Sequence, residues 1–156
     1  VVYAVSYHGR IAAIEADTGT IIWSRELSSY TGMTLDAQNV YLSDEKGHVW
    51  ALYRNSGATF WKQDKLEARN ITAPSVHGEY IVVGDYEGYL HWLSREDGRM
   101  VSRNRIDQNA IDAAPLISDD VLIARSQGGV VAAISISPLN ESAKLTKMEE
   151  THEDLD

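Results

Sequence analysis

One glycine and one aromatic position recur in a fixed register along this chain, and that recurrence constrains the fold more than any composition figure. Apolar starts at Val2-Tyr3-Ala4-Val5, Val40-Tyr41-Leu42, Ile81-Val82-Val83 and Val121-Leu122-Ile123 are each followed, seven residues on, by a glycine: Gly9, Gly47, Gly88 and Gly128. Seventeen residues after the first three starts come Gly19, Gly57 and Gly98, ending the turns Asp17-Thr18-Gly19, Asn55-Ser56-Gly57 and Asp97-Gly98. Four residues further the same units carry Trp23, Trp61 and Ser102. With starts at positions 2, 40, 81 and 121, the spacing is 38, 41 and 40 residues. A repeat of this length is one supersecondary unit that buries its faces on its neighbours.

Inside each unit, short runs of Val, Ile, Tyr and Trp are punctuated by Gly, Asp and Asn turns, a pattern of strands and not of helices. The pattern predicts strands over 2–6, 10–16 and 20–26; 31–36, 39–43, 48–54 and 58–63; 71–77, 80–84, 89–94 and 99–106; and 111–117, 120–124 and 130–137. Ile11-Ala12-Ala13-Ile14, Val49-Trp50-Ala51-Leu52 and Val130-Val131-Ala132-Ala133-Ile134 are apolar on both alternating sets, so both faces of each sheet are covered. Four-stranded antiparallel sheets stacked face to face are the blades of a β-propeller. A β-sandwich of unrelated strands fits the composition but not the register.

The expected fold is therefore all-β, with two full and two incomplete blades over residues 1–137. The first unit lacks its innermost strand and the last its outer one, which reads as the C-terminal part of a larger ring closed by the N-terminus of the intact polypeptide. Residues 138–156 hold six acidic residues and two lysines without a strand pattern, and are expected to be a solvated, disordered tail.

The formal net charge of −9 disfavours a nucleic-acid binder or a polybasic membrane-surface protein, and the absence of cysteine removes Cys-ligated metals and disulfides. No phosphate loop, nucleophile elbow or zinc-protease signature occurs. His8, His48, His77, His91 and His152 fall in separate turns, strands or the tail, with no pair at ligand spacing. Asp44-Glu45-Lys46-Gly47 and Asp85-Tyr86-Glu87-Gly88 read as turns, because neither supplies the six or more oxygens of a calcium loop. No catalytic, metal or cofactor-binding residue is assigned.

The segments Ala13–Trp23 and Ala51–Trp61 resemble the tryptophan-docking repeat of the quinoprotein-like (PQQ-like) propeller family, in which an Ala and a Gly precede a Trp that packs between blades. The third unit departs from that pattern, with Trp92 at the Ala position and Ser102 at the Trp position. The run from Val83-Gly84-Asp85-Tyr86-Glu87-Gly88-Tyr89-Leu90-His91-Trp92-Leu93 to Glu96-Asp97-Gly98-Arg99 is more specific. With Val2–Val5 through Trp23-Ser24-Arg25-Glu26-Leu27, it is similar to the outer-membrane β-barrel assembly lipoproteins of Gram-negative bacteria, over residues 1–136.

That resemblance implies a non-enzymatic scaffold in an eight-bladed ring, without a cofactor, tethered to the periplasmic face of the outer membrane by a lipid on an upstream cysteine. It implies docking to the POTRA repeats of the central barrel insertase and contact with nascent outer-membrane proteins. The family's contact surface lies on inter-blade loops of middle blades expected to precede this chain. The comparable loops here are Leu27–Met33 and Asp64–Asn70, where Tyr30, Leu66 and Arg69 are expected to be exposed and are the partner-binding candidates. Trp23, Trp61 and the seven register glycines are assigned to blade docking and turns. The alternative is a piece of a PQQ-dependent dehydrogenase on the same repeats, which would need a quinone and calcium contacted from several blades.

Overall fold

The computed structural model describes residues 1–136, in which fourteen strands form four antiparallel sheets. The first sheet is β1 (Val2–Val5), β2 (Arg10–Ile14) and β3 (Ile21–Glu26). The second is β4 (Met33–Leu35), β5 (Asn39–Ser43), β6 (Val49–Tyr53) and β7 (Thr59–Gln63). The third is β8 (Ser75–His77), β9 (Tyr80–Gly84), β10 (Tyr89–Ser94) and β11 (Met100–Arg105), and the last is β12 (Leu116–Ser118), β13 (Val121–Arg125) and β14 (Val131–Ser135). Strands lie side by side in chain order within every sheet, and β8 meets both β4 and β12, so the leading edges of these three sheets converge as blades do around an axis.

The core lies between sheets. Ile11, Val40, Leu42 and Leu52 close the first sheet on the second; Tyr41, Ala51, Trp61, Ile81, Val83 and Leu93 close the second on the third; Val82, Leu90, Trp92, Leu122 and Ala124 close the third on the last. Because successive side chains on a strand point to opposite faces, Val40 and Tyr41 serve different interfaces, and all five residues of β5 are buried. This is why its run is apolar without alternation.

Each of the first three sheets carries a bulge at the same register point, after Ala13, Ala51 and Trp92. The extra residue turns the outer strand more sharply, which suits a blade that must twist from axis to rim.

Two expectations are corrected. The leading strands are shorter than 31–36, 71–77 and 111–117. Pro74 and Pro115 have no N–H to give to a ladder, and the residues before them fill the core, with Ile71 and Ile111 buried. In the last unit the turn glycine is Gly129, not Gly128. Gly129 has φ +90° and donates to Ser126 O, matching Gly47 (φ +89°, to Asp44 O) and Gly88 (φ +83°, to Asp85 O). Two adjacent glycines hid a one-residue offset. In the first unit the positive φ falls on His8, one residue before Gly9. The tail over 138–156 lies outside the described residues.

Candidate protein-docking face

Trp23 and Trp61 sit at blade boundaries. Trp23 Nε1 donates to Arg54 O at 2.8 Å and Trp61 Nε1 to Arg95 O at 2.9 Å, each carbonyl belonging to the next sheet. The two rings lie flat on Gly57 and Gly98, where an added Cβ would stand 2.4 Å from the indole Cε3 in each case. Both glycines also hold positive φ, so two independent constraints exclude a side chain there. Across the strand pair, Ala13 faces Trp23 and Ala51 faces Trp61, leaving room for the indole.

At one end of the sheets the hairpin tips 6–9, 44–47, 85–88 and 126–129 meet the connections that carry the chain from one sheet to the next. Each connection is stitched twice: Ser29 N to Ser6 O and Glu45 N to Ser28 O; Ala68 N to Lys46 O and Tyr86 N to Arg69 O; Ile111 N to Asp85 O and Gln127 N to Ala110 O. Loops otherwise free to move are thereby held by backbone bonds to the tips on both sides.

The tips are themselves capped. Asp44 Oδ1 accepts from Lys46 N and His48 N, both at 2.9 Å, while Oδ2 holds Trp50 Nε1 and His48 Nδ1, both at 2.8 Å. Burial alone would raise the Asp44 carboxyl, but hydrogen bonds from Trp50, His48 and Lys46 outweigh it and hold it below the ordinary value. Asp85 repeats the device. Its Oδ1 accepts from Glu87 N and Tyr89 N, and its Oδ2 meets Arg69 Nε and His91 Nε2, both at 2.7 Å. Burial again opposes ionisation, and bonds from His91, Tyr89, Arg69 and Glu87 bring the pKa down to about 2. These carboxylates serve as turn anchors, with their oxygens occupied by donors from the tip, from the strand that follows it and, for Asp85, from Arg69 of the adjoining connection.

The three partner-binding candidates separate. Tyr30 is 58% exposed, its hydroxyl donates to Asn70 Oδ1 at 3.2 Å, and its ring meets Tyr7 edge-on at 5.9 Å. Leu66, by contrast, is 2% exposed in the core between the second and third sheets, so its expected exposure is overturned. Its loop folds inward there because an apolar side chain gains more from that core than from water. Arg69 is half-buried and already paired with Asp85 and with Glu87, whose Oε2 lies 2.7 Å from its Nη2.

The residue missed from sequence is Tyr7, also 58% exposed and stacked on His8 at 3.8 Å. Its one signal was an aromatic residue inside the turn Ser6-Tyr7-His8-Gly9. Beside it a cleft of about 630 Å³ opens between the first and second sheets, lined by His8, Glu26, Glu45, Lys46, Trp50 and Lys62 among others. Among the described residues no group of His, Asp and Glu converges as a metal site would. This end of the molecule offers an exposed aromatic pair on a rigid rim of stitched loops, a surface suited to gripping another protein.

The fold and this face define a tryptophan-docked β-propeller of the quinoprotein-like repeat class. A family model described as outer membrane protein assembly factor BamB matches residues 1–63 and 54–141, and the chain belongs to that family. BamB of Yersinia pestis is 39% identical over 135 residues, which is 86% of this chain and 34% of that protein. BamB of Alkalilimnicola ehrlichii is 40% identical over 136 residues, covering 87% of this chain and 36% of that protein. BamB of Escherichia coli K12 is 37% identical over 86% of this chain and 34% of that protein. The chain thus spans about a third of the length of these curated relatives.

The crystal structure of BamB from Moraxella catarrhalis superposes with a TM-score of 0.79 at 34% identity, over 86% of this chain and 40% of that one. The quinohemoprotein alcohol dehydrogenase ADHIIG of Pseudomonas putida HK5 superposes at a TM-score of 0.57 with 18% identity, over 66% of this chain and 18% of that one. That likeness is one of fold alone, and the dehydrogenase alternative is distant.

Proposed function

We propose that the polypeptide carrying these blades is a non-enzymatic scaffold of the outer-membrane β-barrel assembly machinery. It works at the periplasmic face of the outer membrane, tethered through a lipid upstream of these residues. There it docks on the POTRA repeats of the barrel insertase and helps nascent outer-membrane proteins to fold and insert. The observation that carries this reading is the family membership, with identities of 37% to 40% to relatives named as outer membrane protein assembly factors. The stitched rim with Tyr7 and Tyr30 supports a docking role, because exposed aromatic residues on a pre-organised surface lose little entropy when covered.

The test is binding of the full-length protein to immobilised POTRA repeats. Wild-type protein is expected to bind, and Tyr7→Ala/Tyr30→Ala to bind about thirtyfold more weakly or worse, since truncating a hot spot costs about 2 kcal/mol or more. Absence of wild-type binding overturns the docking function. Unchanged binding by the double variant moves the contact surface off this face.

A further inference from the structure

The connection 64–70 is held on its two sides by different chemistry. On one side Arg69 reaches the third hairpin tip, where its Nε lies 2.7 Å from Asp85 Oδ2 and its Nη2 lies 2.7 Å from Glu87 Oε2. A guanidinium is not deprotonated in proteins, so this anchor is permanent. On the other side Glu67 meets the second tip through His48, whose Nε2 lies 2.6 Å from Glu67 Oε1 and whose Nδ1 lies 2.8 Å from Asp44 Oδ2. An imidazole carries one proton or two, so this anchor depends on a proton. The device belongs to one unit alone, since the residue after the tip glycine is Arg10, Tyr89 or Val130 in the other three.

Counting protons defines the contact. Both partners of the His48 ring are carboxylates, which accept only, so two short bonds need a proton on each ring nitrogen. A neutral ring has one proton and would turn a lone pair toward a carboxylate oxygen on its other side. Asp44 is in no position to give way, because it is buried and also accepts from Trp50 Nε1, Lys46 N and His48 N. Glu67 is: its side chain is 63% exposed, and among the described residues His48 is its one hydrogen-bond partner. The other charged or titratable groups near the ring are His8, Glu26, Glu45, Lys46 and Lys62 along the adjacent cleft, and Asp64, which follows the Val49 partner Gln63. Glu45 is engaged by Ser28 and His8, and Glu26 by Arg10.

The segment held by this proton is strained. Ala68 and Asn70 have φ of +58° and +53°, a conformation that costs a residue with a side chain free energy and persists only under restraint. The main-chain bond from Ala68 N to Lys46 O is long, at 3.4 Å. Ala68 and Asn70 share with Tyr30 the lining of a small cleft of about 80 Å³, so the position of this turn shapes the ground beside the exposed aromatic pair.

We propose that His48 is a proton-operated latch on the candidate docking face. With both ring nitrogens protonated it grips Glu67 and keeps the strained turn at Ala68 seated on the second tip. On losing one proton it releases Glu67, and the turn loosens while Arg69 keeps the far side fixed. The latch is therefore closed at acid pH and opens as pH rises through the range in which imidazoles titrate. Its consequence for partner binding rests on the scaffold reading above; the latch itself rests on the geometry of the tip.

The test is hydrogen exchange over residues 64–70 of the full-length protein at pH 6.0 and pH 8.5, with rates corrected for base catalysis of exchange. Protection of this stretch in wild type should fall about tenfold or more at the higher pH, the equilibrium worth of a hydrogen bond between charged groups. In Glu67→Gln the fall should be under about twofold, because an amide can accept from a protonated ring and donate to a neutral one. Selective ¹⁵N labelling of histidine should show both His48 ring nitrogens as N–H at pH 6.0, the signals being identified by their loss in His48→Gln. Protection independent of pH in wild type overturns the latch, as does a fall that persists in Glu67→Gln or a bare ring nitrogen on His48 at pH 6.0. Neither readout uses the POTRA repeats, so failure of the latch and failure of the docking function are told apart.

Discussion

The boundary between the second and third sheets and the one between the third and last solve the same packing problem in opposite ways. At the first, the outer strand supplies the large side chain, Trp61, facing Ala51 across the pair. At the second, the inner position supplies it, with Trp92 facing Ser102. Trp61 reaches over Gly98 and finds an acceptor in Arg95 O, whereas the Trp92 indole packs against His77 and Tyr80, and its buried Nε1 has no partner among the described residues. One large and one small residue per cross-strand pair is what the blade requires. Which strand carries the large one decides whether the indole keys into the next sheet or stays within its own interface.

The comparison can be broken most directly at Trp61. Trp61→Ala in the intact protein should cost about 3–5 kcal/mol by denaturant unfolding, since it removes a nearly buried indole and its hydrogen bond. A change below about 0.5 kcal/mol would refute the keying role. Next in size is Asp85, which anchors the third tip and Arg69. Its folded pKa of about 2 lies below the ordinary 3.8, so its contribution is complete above about pH 5 and is lost as pH falls from there toward 2. About 2 kcal/mol of stability should disappear over that window, and Asp85→Asn should flatten that part of the pH profile.

Gly98→Ala should cost about 1–3 kcal/mol in wild type, through positive φ and the clash with Trp61, and distinctly less in a Trp61→Ala background. Equal costs in both backgrounds would assign the effect to the backbone alone. Ser102→Trp sharpens the contrast: alone it should overpack by about 1–3 kcal/mol, and Trp92→Ala should recover part of that loss if the two positions share one volume. The smallest effect is expected from removing residues 138–156, within about 0.5 kcal/mol, because their sequence carries no strand pattern with which to join a sheet.

Strand identity was legible because its signals are local. Gly47, Gly57, Gly88 and Gly98 mark turns through their own backbone freedom, and the apolar runs between them fix strand number and order. The leading strands were overextended because Ile71 and Ile111 are apolar in either role, and only packing shows that they fill the core without joining a ladder. The candidate docking face was half legible. An aromatic residue in a connection pointed to Tyr30, but the same reasoning promoted Leu66, which is buried, and Arg69, whose carboxylate partners lie 16 and 18 residues away.

By itself the sequence determined the period of the repeat, the all-β class, the turn glycines of the two middle units and the tryptophans able to bridge sheets. These depend on backbone conformation and on alternation within a few residues, which neighbours in the chain encode. The tertiary structure alone decided that Gly129 replaces Gly128 in the turn, that Tyr7 pairs with Tyr30, that Leu66 turns inward and that His48 sits between Asp44 and Glu67. Each of these depends on groups brought together from separate strands or loops, and exposure and charge pairing are properties of that assembly.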